Sequence, residues 1–177
     1  MSAIVLDASV AMTLLLRQRG FDGVDRKVEQ WLAQGVELTV PMHFWLEVSN
    51  ALVRRHGLTG VQLMETIHRL DELGLATIPI DRPLLLLALD RAERYGLTTY
   101  DAAYLALAET LDTRLYTTDR ALLAAAGSRG LGLNDEAEHR LSEVRAPYGA
   151  ERRPSWPDYG GASAYLAKLR AEASRSA

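Results

Sequence analysis

Residues 4–6, Ile4-Val5-Leu6, form an uninterrupted apolar run that stops at Asp7, the pattern of a buried strand running into a loop or helix start. Helical apolar spacing follows in residues 8–16 and 23–32, on either side of the loop 19–22, and residues 37–40 alternate as a second strand closed by Pro41. Residues 43–56 form a helix that Gly57 ends, and Thr59 with Gln62 makes a capping-box signature for another helix running to Leu73. Residues 76–80 give a third strand, after which Asp81 as N-cap and Pro83 in the first turn open a leucine-rich helix reaching about Tyr95. Thr99 then caps a helix over 100–110, residues 114–117 are a fourth strand, and Asp119 starts an alanine-rich helix over 121–126. One further short strand is offered by 131–133.

Such alternation forces parallel pairing, because each crossover helix returns the chain to the same edge of the sheet. The expected fold class is therefore α/β, a central parallel sheet flanked by helices. In open sheets of this kind ligands sit beyond the carboxyl ends of the strands, and Asp7, Asp81 and Asp119 all fall at such ends. The pattern changes near Gly127, and the chain divides into a domain over 1–133 and a C-terminal extension over 134–177. That extension is polar at first and dense in proline, glycine and aromatics over 147–161. A short amphipathic helix near Tyr165, Leu166 and Leu169 could dock on the domain, bind a partner or stay mobile.

Composition narrows the chemistry. Among 177 residues there is no cysteine, which excludes a disulfide framework, a thiolate nucleophile and a cysteine zinc site, so any metal must accept oxygen or imidazole. His43, His56, His68 and His139 lack metal-ligand spacing, which leaves oxygen. The apolar runs are too short to span a bilayer and Asp7 sits where a signal peptide carries positive charge, so a cytoplasmic protein with no membrane partner is expected. A net charge of -3 gives no global attraction to nucleic acid, and such binding must rest on local arginines: Arg17, Arg19, Arg54, Arg55 and Arg120 are the candidates, each equally readable as a solvated surface group.

Four acids stand out. Asp7 emerges at the sheet's rim beside Ser9, and could simply cap the helix that follows. Glu47 sits inside an apolar helical stretch with Asn50 three residues on, and a buried carboxylate there needs an arginine, a proton or a metal. Asp101 lies in the first turn of its helix, where the macrodipole favours an anion. Asp119 repeats the strand-end, helix-start setting of Asp7, and capping accounts for it too. Asp81 is followed by Arg82-Pro83 and capping explains it fully. Each acid has an ordinary structural use, but four acids converging on one rim of a parallel sheet repel one another. The remedies are raised pKa values or a hard divalent cation such as Mg²⁺ or Mn²⁺. Acid clusters holding such a cation position a water for phosphodiester hydrolysis.

Val5-Leu6-Asp7-Ala8-Ser9, Glu47 with Asn50, the stretch from Thr99-Tyr100-Asp101 to Ala106, and Thr117-Thr118-Asp119 together resemble the PIN-domain nucleases, specifically the VapC-type toxins of type II toxin–antitoxin systems. The resemblance covers about residues 1–126. It implies a PIN-type parallel sheet and an Mg²⁺- or Mn²⁺-dependent endoribonuclease that hydrolyses RNA. Asp7, Glu47, Asp101 and Asp119 match the family's acidic, metal-binding quartet, and Ser9, Asn50 and Thr118 match positions that support the acids or face the bound water. A cognate antitoxin and a homodimer are also implied. Two other classes make different demands on the residues. A non-catalytic RNA-binding or regulatory domain would keep the acids only as caps, and a phosphoacceptor or phosphatase domain would need a second nearby acid and a lysine, whereas no lysine lies between Lys27 and Lys168.

Overall fold

The computed structural model describes residues 3–16 and 23–133. The C-terminal extension over 134–177, the loop over 19–22 that carries Arg19, and Arg17 lie outside the described residues.

The described chain runs β1 (Ala3–Leu6), α1 (Ala8–Leu16), α2 (Val24–Ala33), β2 (Glu37–Pro41), α3 (Phe44–His56), α4 (Gly60–Asp71), β3 (Ala76–Ile78), α5 (Arg82–Tyr95), α6 (Thr99–Thr110), β4 (Arg114–Tyr116), α7 (Arg120–Ala126), a 3₁₀ turn (Gly127–Arg129) and β5 (Gly130–Leu131). All strand pairings are parallel and their order is β3-β2-β1-β4-β5. The chain winds outward in one direction from β1 to β3 and in the other from β4 to β5. The reversal falls between β1 and β4, where Leu6 pairs with Tyr116. That junction is the topological switch point, at which α/β sheets leave a crevice beyond the strands' carboxyl ends.

Local chemistry accounts for most boundaries. Gly57 ends α3 in the left-handed conformation, at φ 64°, which glycine adopts without a side-chain clash. Thr59 opens α4, with its amide donating to Gln62 Oε1 at 3.3 Å, and the Asp81 carboxylate accepts from Leu84 N at 2.9 Å to start α5. Several boundaries differ from the sequence expectation. The β3 strand stops at Ile78 because Pro79 follows it, and the cap of α6 is Thr98 rather than Thr99, its hydroxyl accepting from Asp101 N at 3.1 Å. The last strand lies one residue earlier than 131–133 and pairs with Leu115 and Tyr116 of β4.

The core is built from the sheet and α6. Ile4, Val5, Leu6, Leu38, Val40, Leu115 and Tyr116 are buried from the strands, and every residue from Ala102 to Ala108 is buried along α6. A helix apolar on all sides belongs inside a protein, and its alanines let it approach β1, β2 and β4 closely while α5 and α7 cover its flanks. Trp31 packs edge-on against Tyr116 at 5.0 Å, and Trp45 donates its indole N–H to Thr77 at 2.9 Å, so both tryptophans serve packing. Of the leucines in α5, Leu84 is buried whereas Leu85, Leu86 and Leu89 are exposed. No helix among the described residues is long and apolar enough to cross a membrane.

Candidate active site

Asp7 leaves β1 at the switch point. Its backbone carbonyl accepts from Val10 N at 3.1 Å, so the residue does open α1, yet its side chain is engaged elsewhere. Ser9 Oγ donates to Asp7 Oδ2, and Thr117 Oγ1 donates to the same oxygen at 2.7 Å. Both hydroxyls also accept from the loop that follows β4: Thr118 N donates to Ser9 Oγ at 3.0 Å and Asp119 N to Thr117 Oγ1 at 3.0 Å. The two strand ends on either side of the reversal are thereby stitched together around one carboxylate, itself only 3% exposed.

Glu47 reaches the same region from the first turn of α3. Tyr104, one turn along α6 from Asp101, donates its hydroxyl to Glu47 Oε2 at 2.9 Å. The His43 Nε2 atom stands 3.9 Å from that oxygen, beyond hydrogen-bonding distance. Asp101 accepts from the Thr98 hydroxyl at 2.7 Å in the first turn of α6.

Electrostatics show which acids share a site. Burial raises the Asp7 carboxyl above its usual range; hydrogen bonds from Ser9 and Thr117 oppose this, and the negative charge of Asp101 adds to it. Glu47 is likewise raised, first by burial, and Tyr104 opposes the shift while the charges of Asp7 and Asp101 reinforce it. Among the described residues no ion pair joins Glu47 to an arginine, and Arg55 comes last of these influences. Burial and the neighbouring carboxylates push the Tyr104 phenol far above its normal value, so it stays a neutral donor. The charge of Asp101 thus adds, after burial, to the upward shifts of both Asp7 and Glu47.

Asp119 is placed differently. Its Oδ1 accepts from Leu122 N at 2.8 Å to cap α7, its side chain is exposed, and its link to Asp7 runs through its own amide and Thr117. Its carboxylate is not among the leading influences on Asp7 or Glu47. Asn50 is exposed one turn beyond Glu47 and makes none of the hydrogen bonds that tie the site together, and Thr118 contributes its amide. Three residues that sequence reasoning passed over take part. Thr117 holds Asp7, Tyr104 holds Glu47, and His43 packs against Tyr104 with ring centroids 4.8 Å apart. Arg54, Arg55 and Arg120 are exposed and belong to none of the described ion pairs.

The donor set suits a hard cation, since it offers carboxylate oxygens with excess negative charge and no paired arginine. Among the described residues no three acidic or histidine side chains stand close enough to hold an ion by themselves. A small divalent cation that keeps several waters and takes only one or two carboxylates fits such a site.

Among known protein families, the model described as "PIN domain" matches residues 4–128. The chain belongs to the PIN-domain family. Solved structures share the fold. A toxin–antitoxin complex from Klebsiella pneumoniae aligns with TM-score 0.58 at 18% identity, over 73% of this chain and 97% of that one. FitAcB from Neisseria gonorrhoeae gives 0.57 at 20% identity, over 73% and 97%. VapC20 of Mycobacterium tuberculosis, described as a sarcin-ricin loop cleaving toxin, gives 0.56 at 19% identity, over 69% and 94%. No curated protein sequence matches the chain.

Proposed function

We propose that this PIN-domain protein is a divalent-cation-dependent endoribonuclease and the toxin half of a toxin–antitoxin pair, acting on RNA in the cytoplasm. The observation that carries the reading is the placement of a buried Asp7 carboxylate, held by Ser9 and Thr117, and of Glu47, held by Tyr104, at the sheet's switch point with no arginine paired to either among the described residues, a charge problem that a cation relieves and that core packing does not require. Family membership supports the nuclease class. The structural neighbours, one a toxin–antitoxin complex and one described as a sarcin-ricin loop cleaving toxin, support the biological role.

In this reading Mg²⁺ or Mn²⁺ would be held directly by one or two of the carboxylates of Asp7, Glu47 and Asp101 and through its waters by the others, and Asp119 would meet those waters at the outer rim through the oxygen its helix cap leaves over. The bound cation supplies an activated water and neutralises charge on the phosphodiester. The chain's own residues prepare the site. Ser9 and Thr117 fix Asp7 by its Oδ2, Tyr104 fixes Glu47 by its Oε2, and the burial of Asp7 keeps bulk water from screening its charge. Asn50 and Thr118 flank the acids as supporting residues. Arg54, Arg55 and Arg120 supply phosphate contacts around an otherwise acidic crevice. A cognate antitoxin covers the site, and the chain pairs as a homodimer.

Purified chain freed of any partner is expected to cut RNA in Mg²⁺ or Mn²⁺ and to stop when EDTA is added. Cleavage that persists in EDTA contradicts the cation requirement, and RNA binding without cleavage favours a non-catalytic RNA-binding domain instead.

A further inference from the structure

Beside the acids stands a stack of three aromatic rings. Tyr104 lies buried beneath His43 at 4.8 Å in an edge-to-face arrangement, and His43 meets Tyr100 at 5.7 Å with the rings tilted by 44°. The burial of these rings is graded. Tyr104 is fully buried, His43 is 8% exposed and Tyr100 is 66% exposed. Neither ring nitrogen of His43 makes a hydrogen bond of full geometry, the backbone of Tyr100 being the polar group that acts on the imidazole. His43 therefore meets Tyr100 both through the backbone and ring to ring, and so braces it.

Tyr100 is held in place as well as braced. It belongs to the first turn of α6, between Thr98 and Asp101, whose side chains and amide hydrogen-bond each other at 2.7 and 3.1 Å. A ring with little conformational freedom and one open side loses little entropy when a planar ligand settles on it. Its ring also borders the acids, since His43, against which it rests at 5.7 Å, stands with Nε2 3.9 Å from Glu47 Oε2. An RNA phosphate drawn to the acids therefore has a flanking nucleobase within reach of this ring. Protein surfaces that track single-stranded nucleic acid use such aromatic faces, since every base presents a π-face.

From this stack we infer that Tyr100, backed by His43, is a stacking platform for a nucleobase adjacent to the scissile phosphodiester. The inference rests on the endoribonuclease reading and assigns Tyr100 to substrate binding. The platform accepts an unstacked base and discriminates against a base held inside a duplex.

The test uses the full-length chain carrying Asp7→Asn to prevent cleavage, with a randomised pool of fluorescein-labelled 12-nucleotide single-stranded RNA as the probe, read by fluorescence anisotropy. Adding Tyr100→Ala weakens binding about 5- to 100-fold, whereas adding Tyr100→Phe keeps it within about twofold, since stacking needs the ring and not the hydroxyl. Both variants retain the parent's melting temperature because the side chain is largely exposed. Equal binding by Tyr100→Ala, equal losses in the Ala and Phe variants, or no binding of the pool by the Asp7→Asn parent overturns the platform. Cleavage of the same pool by chain with Asp7 intact is followed in parallel. EDTA-sensitive cleavage alongside Tyr100-independent binding sinks the platform alone, while absent or EDTA-resistant cleavage sinks the nuclease reading.

Discussion

Replacing Asp7 by asparagine should make the metal-free protein more stable at neutral pH while abolishing its cleavage of RNA. Both hydroxyls that hold Asp7 converge on Oδ2, so an asparagine carbonyl oxygen can accept the same two hydrogen bonds, and what is lost is a negative charge facing Asp101 and Glu47. Relief of such crowding at a functional site gives about 1–2 kcal/mol, and for a chain of this length each kcal/mol moves the melting temperature by about 2–4 °C. A rise of about 2–8 °C at pH 7 in EDTA follows from these figures. The pH dependence has a definite sign. Folded Asp7 and Glu47 hold their protons to higher pH than the unfolded chain, whose carboxyls titrate near 3.8 and 4.5. Their contribution to stability is thus full below those values, falls as pH rises through the raised folded pKa values, and stays lost above them. His43, held below its usual value by burial, acts in the opposite sense below about pH 6.5. The informative quantity is therefore the difference between wild type and Asp7→Asn, in which the His43 contribution largely cancels. Differential scanning calorimetry from pH 4 to 8 in EDTA should show the Asp7→Asn advantage growing with pH and then levelling. An advantage that is absent at pH 7, or largest at pH 4, would refute the picture of a charge held against its neighbours.

Other outcomes follow from single contacts. Thr117→Val removes the hydroxyl that donates to Asp7 and accepts from Asp119 N; with both groups left unsatisfied, stability should fall by about 1–3 kcal/mol in chemical denaturation, with a loss of cleavage. Tyr104→Phe frees Glu47 Oε2 and should cost about 0.5–1.5 kcal/mol of stability. Its cleavage at saturating RNA should fall about tenfold, and an unchanged rate would separate Tyr104 from the site. Asp119→Asn keeps the α7 cap and should leave stability within about 0.5 kcal/mol, whereas Asp119→Ala should cost about 1 kcal/mol. If Asp119→Asn cleaves RNA at the wild-type rate, its carboxylate serves the helix alone.

The sheet and its winding were legible in the sequence because strand and helix periods alternate with clear punctuation at Pro41, Gly57, Asp81 and Gly127. The address of the site was legible for the same reason, since a parallel sheet with acids at its strand ends leaves few places for them to point. The finer placement turned on single residues. Thr117 and Thr118 are chemically alike, and only the end of β4 at Tyr116 decides that Thr117 presents its hydroxyl to Asp7 while Thr118 offers its amide. The same ambiguity moved the α6 cap between Thr98 and Thr99. His43, the residue before α3, and Tyr104 of α6 meet across 61 positions of chain, a separation no local spacing reports. The position of Asp119 shows the converse. Its strand-end setting is the same as that of Asp7, yet α7 uses its carboxylate as a cap and leaves it exposed.

The most direct test of the shared site is an Mn²⁺ titration at pH 7 followed by electron paramagnetic resonance. Wild-type chain should bind the ion, Asp7→Asn and Asp101→Asn should each weaken binding at least tenfold, and Asp81→Asn, which keeps its cap on α5 away from the site, should bind as wild type does. Equal Mn²⁺ affinity in all four proteins, or none in the wild type, would contradict the claim that these carboxylates are gathered for a cation.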